Sequence, residues 1–474
     1  MSRVLICVFD ALRPEFVTPE LMPSLYGFAA EGVQYLNSRS TFPTETRVNQ
    51  SAVTTGCLPR KHGIVGNKMI AQDLLGGRMI NTGDDAALRE AQSAGPVLHM
   101  PNLAERLATA GRSFASLSAG TPGGGRLINH SAEKIGSTRL AMKAPDKCWP
   151  VDLYQKAVER IGPLPDPTPP APDWIDWAVA TYRDVIDTDV TPDVMLLWLC
   201  EPDETFHWHG IGGPESEGIM HHVDEAFGRI LDRHADVIAA GDMHVIAMSD
   251  HGQLSLTGPR LDIAGKLTDA GFSCGRDGLD EVDCAIALAN GGGIWVRDPE
   301  LIAPIVAWLL AQDWCGPVFT RDGIAGTLRQ DLLGLDHARA PDIALVCASS
   351  ATQNVHGVTG ESLHDAPYPQ GGGCHGGLSP WELHNVLCLG GAQVRTGTQI
   401  EAPAGNIDVL PTVMQLLGLP VPGDVDGRAL TEALRDGPSP DSVAWEAKTN
   451  TAEGAVLESK HLGAGLYLDR AWRP

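Results

Sequence analysis

Three short apolar runs, each closed by a carboxylate, constrain this chain more than any other feature. Residues 4–9 (VLICVF) run into Asp10. Residues 194–200 (VMLLWLC) run into Glu201-Pro202-Asp203 and then His207, and residues 245–248 (VIAM) run into Ser249-Asp250-His251-Gly252. A run without polar alternation marks a strand buried on both faces, the condition of a parallel sheet flanked by helices. In open sheets of that kind, ligands gather just beyond the carboxyl ends of the strands. One strand ending in an acid is ordinary. Three, two of them with a histidine close by, point to a shared site on an α/β fold.

A fourth stretch, residues 44–67 (TETRVNQSAVTTGCLPRKHGIVGN), supplies a hydroxyl. It reads as a loop entering a short helix over residues 49–54, closed by the Thr55-Gly56 turn and the His62-Gly63 pair. A threonine at such a helix start lies among free backbone N–H groups and at the positive end of the dipole. An ordinary threonine cap has the same local pattern, so the other segments must decide.

The remaining segments are read more coarsely. Residues 23–32, 102–110, 174–187, 218–235, 299–312 and 407–417 carry helical spacing; residues 113–118, 316–320, 343–347 and 385–389 read as strands, with 343–347 resuming the core. Residues 120–125 (GTPGGG) read as a turn or pocket wall, because they lack the Lys-Ser/Thr of a phosphate-binding loop. Residues 163–172 (PLPDPTPPAP) read as an extended surface connection. Residues 285–296 read as strand around a Gly291-Gly292-Gly293 turn. The expected organisation is a discontinuous core, 1–257 and 342–440, with an insertion at about 71–188, a β-α-β cap at 258–341, and a C-terminal segment, 441–474, whose packing the sequence leaves open.

Charge and composition exclude several classes. The chain of 474 residues has 59 acidic and 35 basic side chains, a formal charge of −24. A nucleic-acid coat needs a basic surface, so the charge argues against that partner, whereas a small phosphorylated substrate is compatible if bound metal reverses the local field. No run is long and apolar enough for a membrane span, and the N-terminus lacks the pattern of a secretory leader. Ten scattered cysteines without a CxxC pair fit reduced, core-filling thiols and a cytoplasmic location. The oligomeric state, homo-oligomer or monomer, is left open.

Asp10, Thr46, Asp203, His207, Asp250, His251 and His375 (in the Gly371–Gly377 loop) are three carboxylates, three imidazoles and one hydroxyl. Two sites of three or four ligands can be built from them. The histidine content suits two zinc ions, with manganese or iron as alternatives, rather than calcium or magnesium. Paired metals can stabilise the attacking and leaving oxygens of an in-line displacement.

These motifs resemble the alkaline phosphatase superfamily, and within it the type I phosphodiesterase/nucleotide pyrophosphatase family, with phosphonoacetate hydrolase as a close relative. The resemblance covers residues 3–70, 192–255, 340–390 and 405–430. It rests on residues 4–13, the 44–67 stretch, Glu201-Pro202-Asp203 with His207, Ser249-Asp250-His251-Gly252 and Cys374-His375-Gly376. It implies an α/β/α sandwich around a mostly parallel central sheet, with a small inserted α+β cap. It also implies a metal-dependent phosphoric diester hydrolase acting on phosphodiesters or nucleotide pyrophosphates. Thr46, nine residues before Thr55, would be the nucleophile rather than Thr44, forming a phosphothreonine later hydrolysed by metal-held water. One metal would take Asp203, His207 and His375; the other would take Asp10, Asp250, His251 and the Thr46 oxygen. Asn67 and the backbone N–H after Thr46 would bind the non-bridging oxygens. The sulfatase motif does not fit, since Cys57-Leu58-Pro59-Arg60 has its arginine one residue early and lies eleven residues past Thr46.

Arg47 departs from the family's nucleotide-acting members, which often carry phenylalanine there. A stacking ring is lost and a cation able to pair with a second phosphate or a carboxylate is gained. Phosphonoacetate hydrolase-like P–C cleavage is therefore an alternative to diester hydrolysis. Trp198 and Trp208 flank the metal motif and could stack on a substrate, although packing is the favoured role for both. A phosphotransferase or mutase, and a non-catalytic metal-binding module, complete the alternatives.

Overall fold

The computed structural model describes residues 2–473. At its centre is an eight-stranded sheet whose strands, in chain order, are β1 (Arg3–Phe9), β2 (Val33–Tyr35), β3 (Phe114–Ser118), β4 (Thr138–Ala141), β5 (Val194–Leu199), β6 (Met243–Met248), β7 (Leu387–Gly390) and β8 (Thr398–Ile400). Their spatial order is β8-β2-β7-β6-β1-β5-β3-β4. The five strands from β6 to β4 run parallel, and β7 alone opposes the rest. Every residue of β5 and β6 is buried, as is all of β1 after Arg3. Both faces are covered, which is why these runs carry no alternation. On one side Phe9 meets Phe227 of the helix Pro214–Ala239, edge to face at 5.4 Å. The architecture is the α/β class with a mostly parallel sheet, as expected.

The register brings the functional strand ends together. β1 lies between β5 and β6, with Val8 opposite Trp198 on one side and Met248 on the other. Asp10, Cys200 and Ser249 therefore leave the sheet side by side at its carboxyl edge.

Several expectations are corrected. The stretch 71–188 is not wholly an insertion, because β3 and β4 extend the central sheet. The strand Ile343–Cys347 does not resume the core. It lies between Gly291–Val296 and Cys315–Thr320 in the six-stranded cap sheet, so the cap continues past residue 341. A wholly buried apolar strand reads alike in either sheet, and sequence alone could not assign it. Within the cap, Gly291, Gly292 and Gly293 are strand residues, with the turn at Ala289-Asn290. Residues 120–125 enter the helix Pro122–Ile128, capped by the Thr121 hydroxyl, which accepts from Gly124 N–H at 3.2 Å. Their glycines serve close packing: a Cβ on Gly123 would lie 2.2 Å from the Thr82 carbonyl oxygen.

The cap has its own apolar cluster, including Ile263, Ile286, Ile294, Ile305, Val318 and Leu345. The C-terminal segment forms an antiparallel sheet of Glu446–Ala452, Ala455–Leu462 and Gly465–Trp472. It docks through Tyr467, whose hydroxyl donates to the Asp408 carboxylate at 3.0 Å, and through the Arg39–Asp469 ion pair at 2.6 Å. Among the described residues, no helix is long and apolar enough to cross a membrane.

Candidate metal centre and nucleophile

Four segments converge. Asp10 follows β1. Asp203 opens the helix Asp203–His209 beyond β5, and His207 lies one turn further on the same face. Asp250 and His251 follow β6, and His375 follows the short strand Gly373–Cys374. His207 Nε2 is 3.3 Å from Asp203 Oδ2, and His375 Nε2 is 3.4 Å from Asp203 Oδ1. His251 Nε2 is 3.1 Å from Asp250 Oδ2 and 3.6 Å from Asp10 Oδ1. The His251 and His375 rings stack with centroids 3.9 Å apart. All six expected carboxylate and imidazole ligands thus share one buried site. The tightest donor groups are Asp10, Asp250 and His251, and Asp203, His251 and His375, each with ligand atoms within 4.8 Å of one another. His251 stands between them, and His207 joins through Asp203.

The donor orientation fits divalent cations. Each imidazole faces a backbone carbonyl with Nδ1: His207 to Gly373 at 2.8 Å, His251 to Gly252 at 3.1 Å and His375 to Thr44 at 2.7 Å. Those bonds fix the tautomers and turn each Nε2 lone pair towards the carboxylates. Asp10 and Asp250 are each held by one oxygen and free at the other. Asp10 Oδ2 accepts from Trp198 Nε1 at 2.8 Å, and Asp250 Oδ1 from Ala11 N–H at 3.2 Å. Asp10 Oδ1 and Asp250 Oδ2 are buried without a hydrogen-bond partner. An orphaned buried carboxylate oxygen is costly unless a cation completes it.

Electrostatics carry the same message. Burial, followed by the charges of Asp250 and Asp203, pushes the Asp10 carboxyl well above its usual range. Burial opposes ionisation of Asp203 as well, yet His207, and then His375 and His251, hold it well below that range. The carboxylates Asp203 and Asp250 outweigh burial and raise His207 and His251, respectively; burial and then His251 depress His375. Carboxylates this close stay ionised together only with positive charge among them.

Thr46 is the first residue of the helix Thr46–Thr55, which starts three residues earlier than expected. Its Oγ1 lies 3.3 Å from His251 Nε2, and the residue is 7% exposed. Thr44 is engaged elsewhere: its hydroxyl donates to Gly377 O and accepts from Gly376 N–H, both at 2.9 Å. Thr44 therefore tethers the His375 loop. The Arg47 N–H donates to Asn67 Oδ1 at 3.2 Å, so the two groups expected to meet phosphoryl oxygens are neighbours. Asn67 is pinned by its own N–H to Glu45 and by its carbonyl, which accepts from the Thr82 hydroxyl at 2.8 Å.

Trp198 is not a substrate platform. It is wholly buried, and its indole N–H fixes Asp10. A tryptophan inside a strand buried on both faces has no open side from which to stack on a ligand. Trp208, by contrast, is 50% exposed and packs edge-on to Tyr368, whose ring stacks on His207 at 3.9 Å. Tyr368 escaped the sequence reading because its loop has no periodicity. Gln253, whose amide donates to Asp203, was missed as well, although it immediately follows the Ser249–Gly252 motif. His62 is structural, accepting from Ile64 N–H at 3.1 Å. His384 faces Asp469 of the C-terminal sheet rather than the metal ligands.

Residues 4–269 match the family model described as type I phosphodiesterase/nucleotide pyrophosphatase. The chain belongs to this family. Among individual relatives, it is 24% identical over 267 residues to a venom phosphodiesterase of Crotalus durissus collilineatus, covering 55% of this chain and 27% of that protein. It is 34% identical over 71 residues to a Xenopus laevis bis(5'-adenosyl)-triphosphatase, 15% of this chain and 16% of that one. These matches span well under a third of either relative. In structure, the phosphodiesterase-family fold matches murine ectonucleotide pyrophosphatase/phosphodiesterase 5 with a TM-score of 0.60. That match covers 89% of this chain and 96% of the murine one at 17% identity. An inactive threonine-to-alanine variant of the murine protein in complex with AMP matches equally well.

Proposed function

We propose that the chain is a two-metal hydrolase of phosphodiesters, including nucleotide pyrophosphates, with Thr46 as nucleophile. The observation that carries this reading is the Thr46 hydroxyl, 3.3 Å from His251 Nε2 at a helix start and beside two orphaned carboxylate oxygens. Asp10, Asp250 and His251 with the Thr46 oxygen would hold one cation, and Asp203, His207 and His375 the other, zinc suiting the histidines best. Cations bound there supply Lewis acidity to the phosphoryl oxygens and make a hydroxyl acidic enough to react at neutral pH.

The Thr46 hydroxyl loses its proton as Oγ1 attacks phosphorus, and the leaving alkoxide departs in line and takes up a proton from solvent, giving a phosphothreonine. Water then adds to phosphorus, the Thr46 oxygen leaves, and the proton released by the water restores the Thr46 hydroxyl. The Arg47 N–H and the Asn67 side chain stabilise the non-bridging oxygens, aided by the partial positive charge of the helix start. Thr46→Ala should abolish turnover of bis(4-nitrophenyl) phosphate while retaining metal content near two per chain. Full activity in that variant would remove Thr46 from the mechanism.

A second reading is P–C cleavage of a carboxylate-bearing phosphonate. It draws on Arg47, whose buried Nε has no hydrogen-bond partner. Comparing mono- and diesters, a nucleotide diester and phosphonoacetate on zinc-loaded protein separates the readings, and a preference for the monoester would overturn both.

A further inference from the structure

Among the described residues, Arg47 is the one arginine whose guanidinium has no hydrogen-bond or ion-pair partner, and its Nε is buried. This is conspicuous in a chain with 59 acidic and 35 basic residues, where the buried arginines each pair with a carboxylate. Arg39 binds Asp469, Arg139 binds Glu133 and Arg339 binds Asp73. A partly desolvated guanidinium without a counter-charge is unfavourable in the resting protein, and such departures from satisfaction collect at functional sites.

Its surroundings provide no substitute. Glu45, the adjacent carboxylate, is turned to Asn67 N–H and makes no ion pair with Arg47. Arg47 directly follows the nucleophile at the helix start, and its backbone N–H meets Asn67.

In-line displacement decides which part of a substrate Arg47 meets. The leaving group departs opposite Thr46 Oγ1, whereas Arg47 follows Thr46 in the same helical turn. It therefore sits with the substituents that stay on phosphorus. We infer that the substrate is a phosphodiester whose retained substituent carries a second anion, a carboxylate or phosphoryl group, bound by the Arg47 guanidinium. This rests on the diesterase reading and deepens it. It is the rival of the P–C cleavage reading of Arg47, in which the carboxylate leaves with the departing carbon.

The test uses three 4-nitrophenyl phosphodiesters whose retained alcohol is ethyl, 2-carboxyethyl or 2-phosphoethyl, assayed on the metal-loaded full chain. A charge-assisted contact that strengthens binding should raise kcat/KM of a charged ester over the ethyl ester by roughly tenfold to a hundredfold. Arg47→Gln should bring that ratio close to one, and Arg47→Lys should keep part of it, with thermal melting showing that both variants fold. The larger gain identifies carboxylate or phosphoryl as the natural group. Equal rates for all three esters, or a charged-ester preference that survives Arg47→Gln, would overturn the inference alone. Hydrolysis of none of them would overturn the diesterase reading and this inference with it.

Discussion

Replacing Trp198 by phenylalanine isolates one hydrogen bond behind the metal centre. The indole N–H donates to Asp10 Oδ2 at 2.8 Å, and the side chain is wholly buried on β5, the strand between β1 and β3. Shrinking the ring leaves a small cavity that costs about 1 kcal/mol whether or not metal is bound. The hydrogen bond does not cancel in the same way. With metal bound, Asp10 is ionised and the lost bond costs about 1.5–3 kcal/mol. Without metal, burial and Asp250 push the carboxyl towards its protonated form, and the lost bond costs about 0.5–1.5 kcal/mol. The difference, about 1–2 kcal/mol, is a roughly five- to thirtyfold weaker metal affinity. Competition against a chelating dye measures that affinity, while melting of the metal-free protein reads the cavity. A lower melting temperature with affinity unchanged within twofold would show that Trp198 only fills space, and would refute its role in orienting Asp10.

Two other perturbations probe the frame. His62 is fully buried, and burial depresses its pKa to about 3, so the folded protein keeps it neutral while the unfolded chain protonates it below about 6.5. Stability is thus lost as pH falls through that window. Between pH 7 and pH 5, urea unfolding of the metal-free wild type should lose about 2 kcal/mol more than His62→Gln; equal losses would show that this histidine is not the proton acceptor. A Cβ on Gly291 would lie 2.1 Å from Gly376 O, next to His375. Because a backbone atom blocks it, Gly291→Ala should destabilise by about 1–3 kcal/mol. It should also weaken one of the two metals selectively, as measured by metal content on dilution; full retention of both would show that the cap strand does not support the His375 loop.

The sequence by itself determined the chemistry of the strand ends. Apolar runs without alternation must be buried on both faces, and polar residues at their carboxyl ends then share one edge of a parallel sheet. Asp10, Asp203, Asp250 and His251 follow from that argument, as does the α/β class. Local pattern cannot say which sheet takes an equally apolar strand: Ile343–Cys347 reads as core, yet it completes the cap. Nor could it assign roles that depend on what lies across a gap. Trp198 reads as a packing residue or a ligand platform until its neighbours close over it, and only the structure shows that the Thr44 hydroxyl faces the His375 loop while that of Thr46 faces His251. Arg47 is the sharpest case. Its identity is written in the chain, but its lack of a partner is a property of every other side chain's position, and only the tertiary structure decides it.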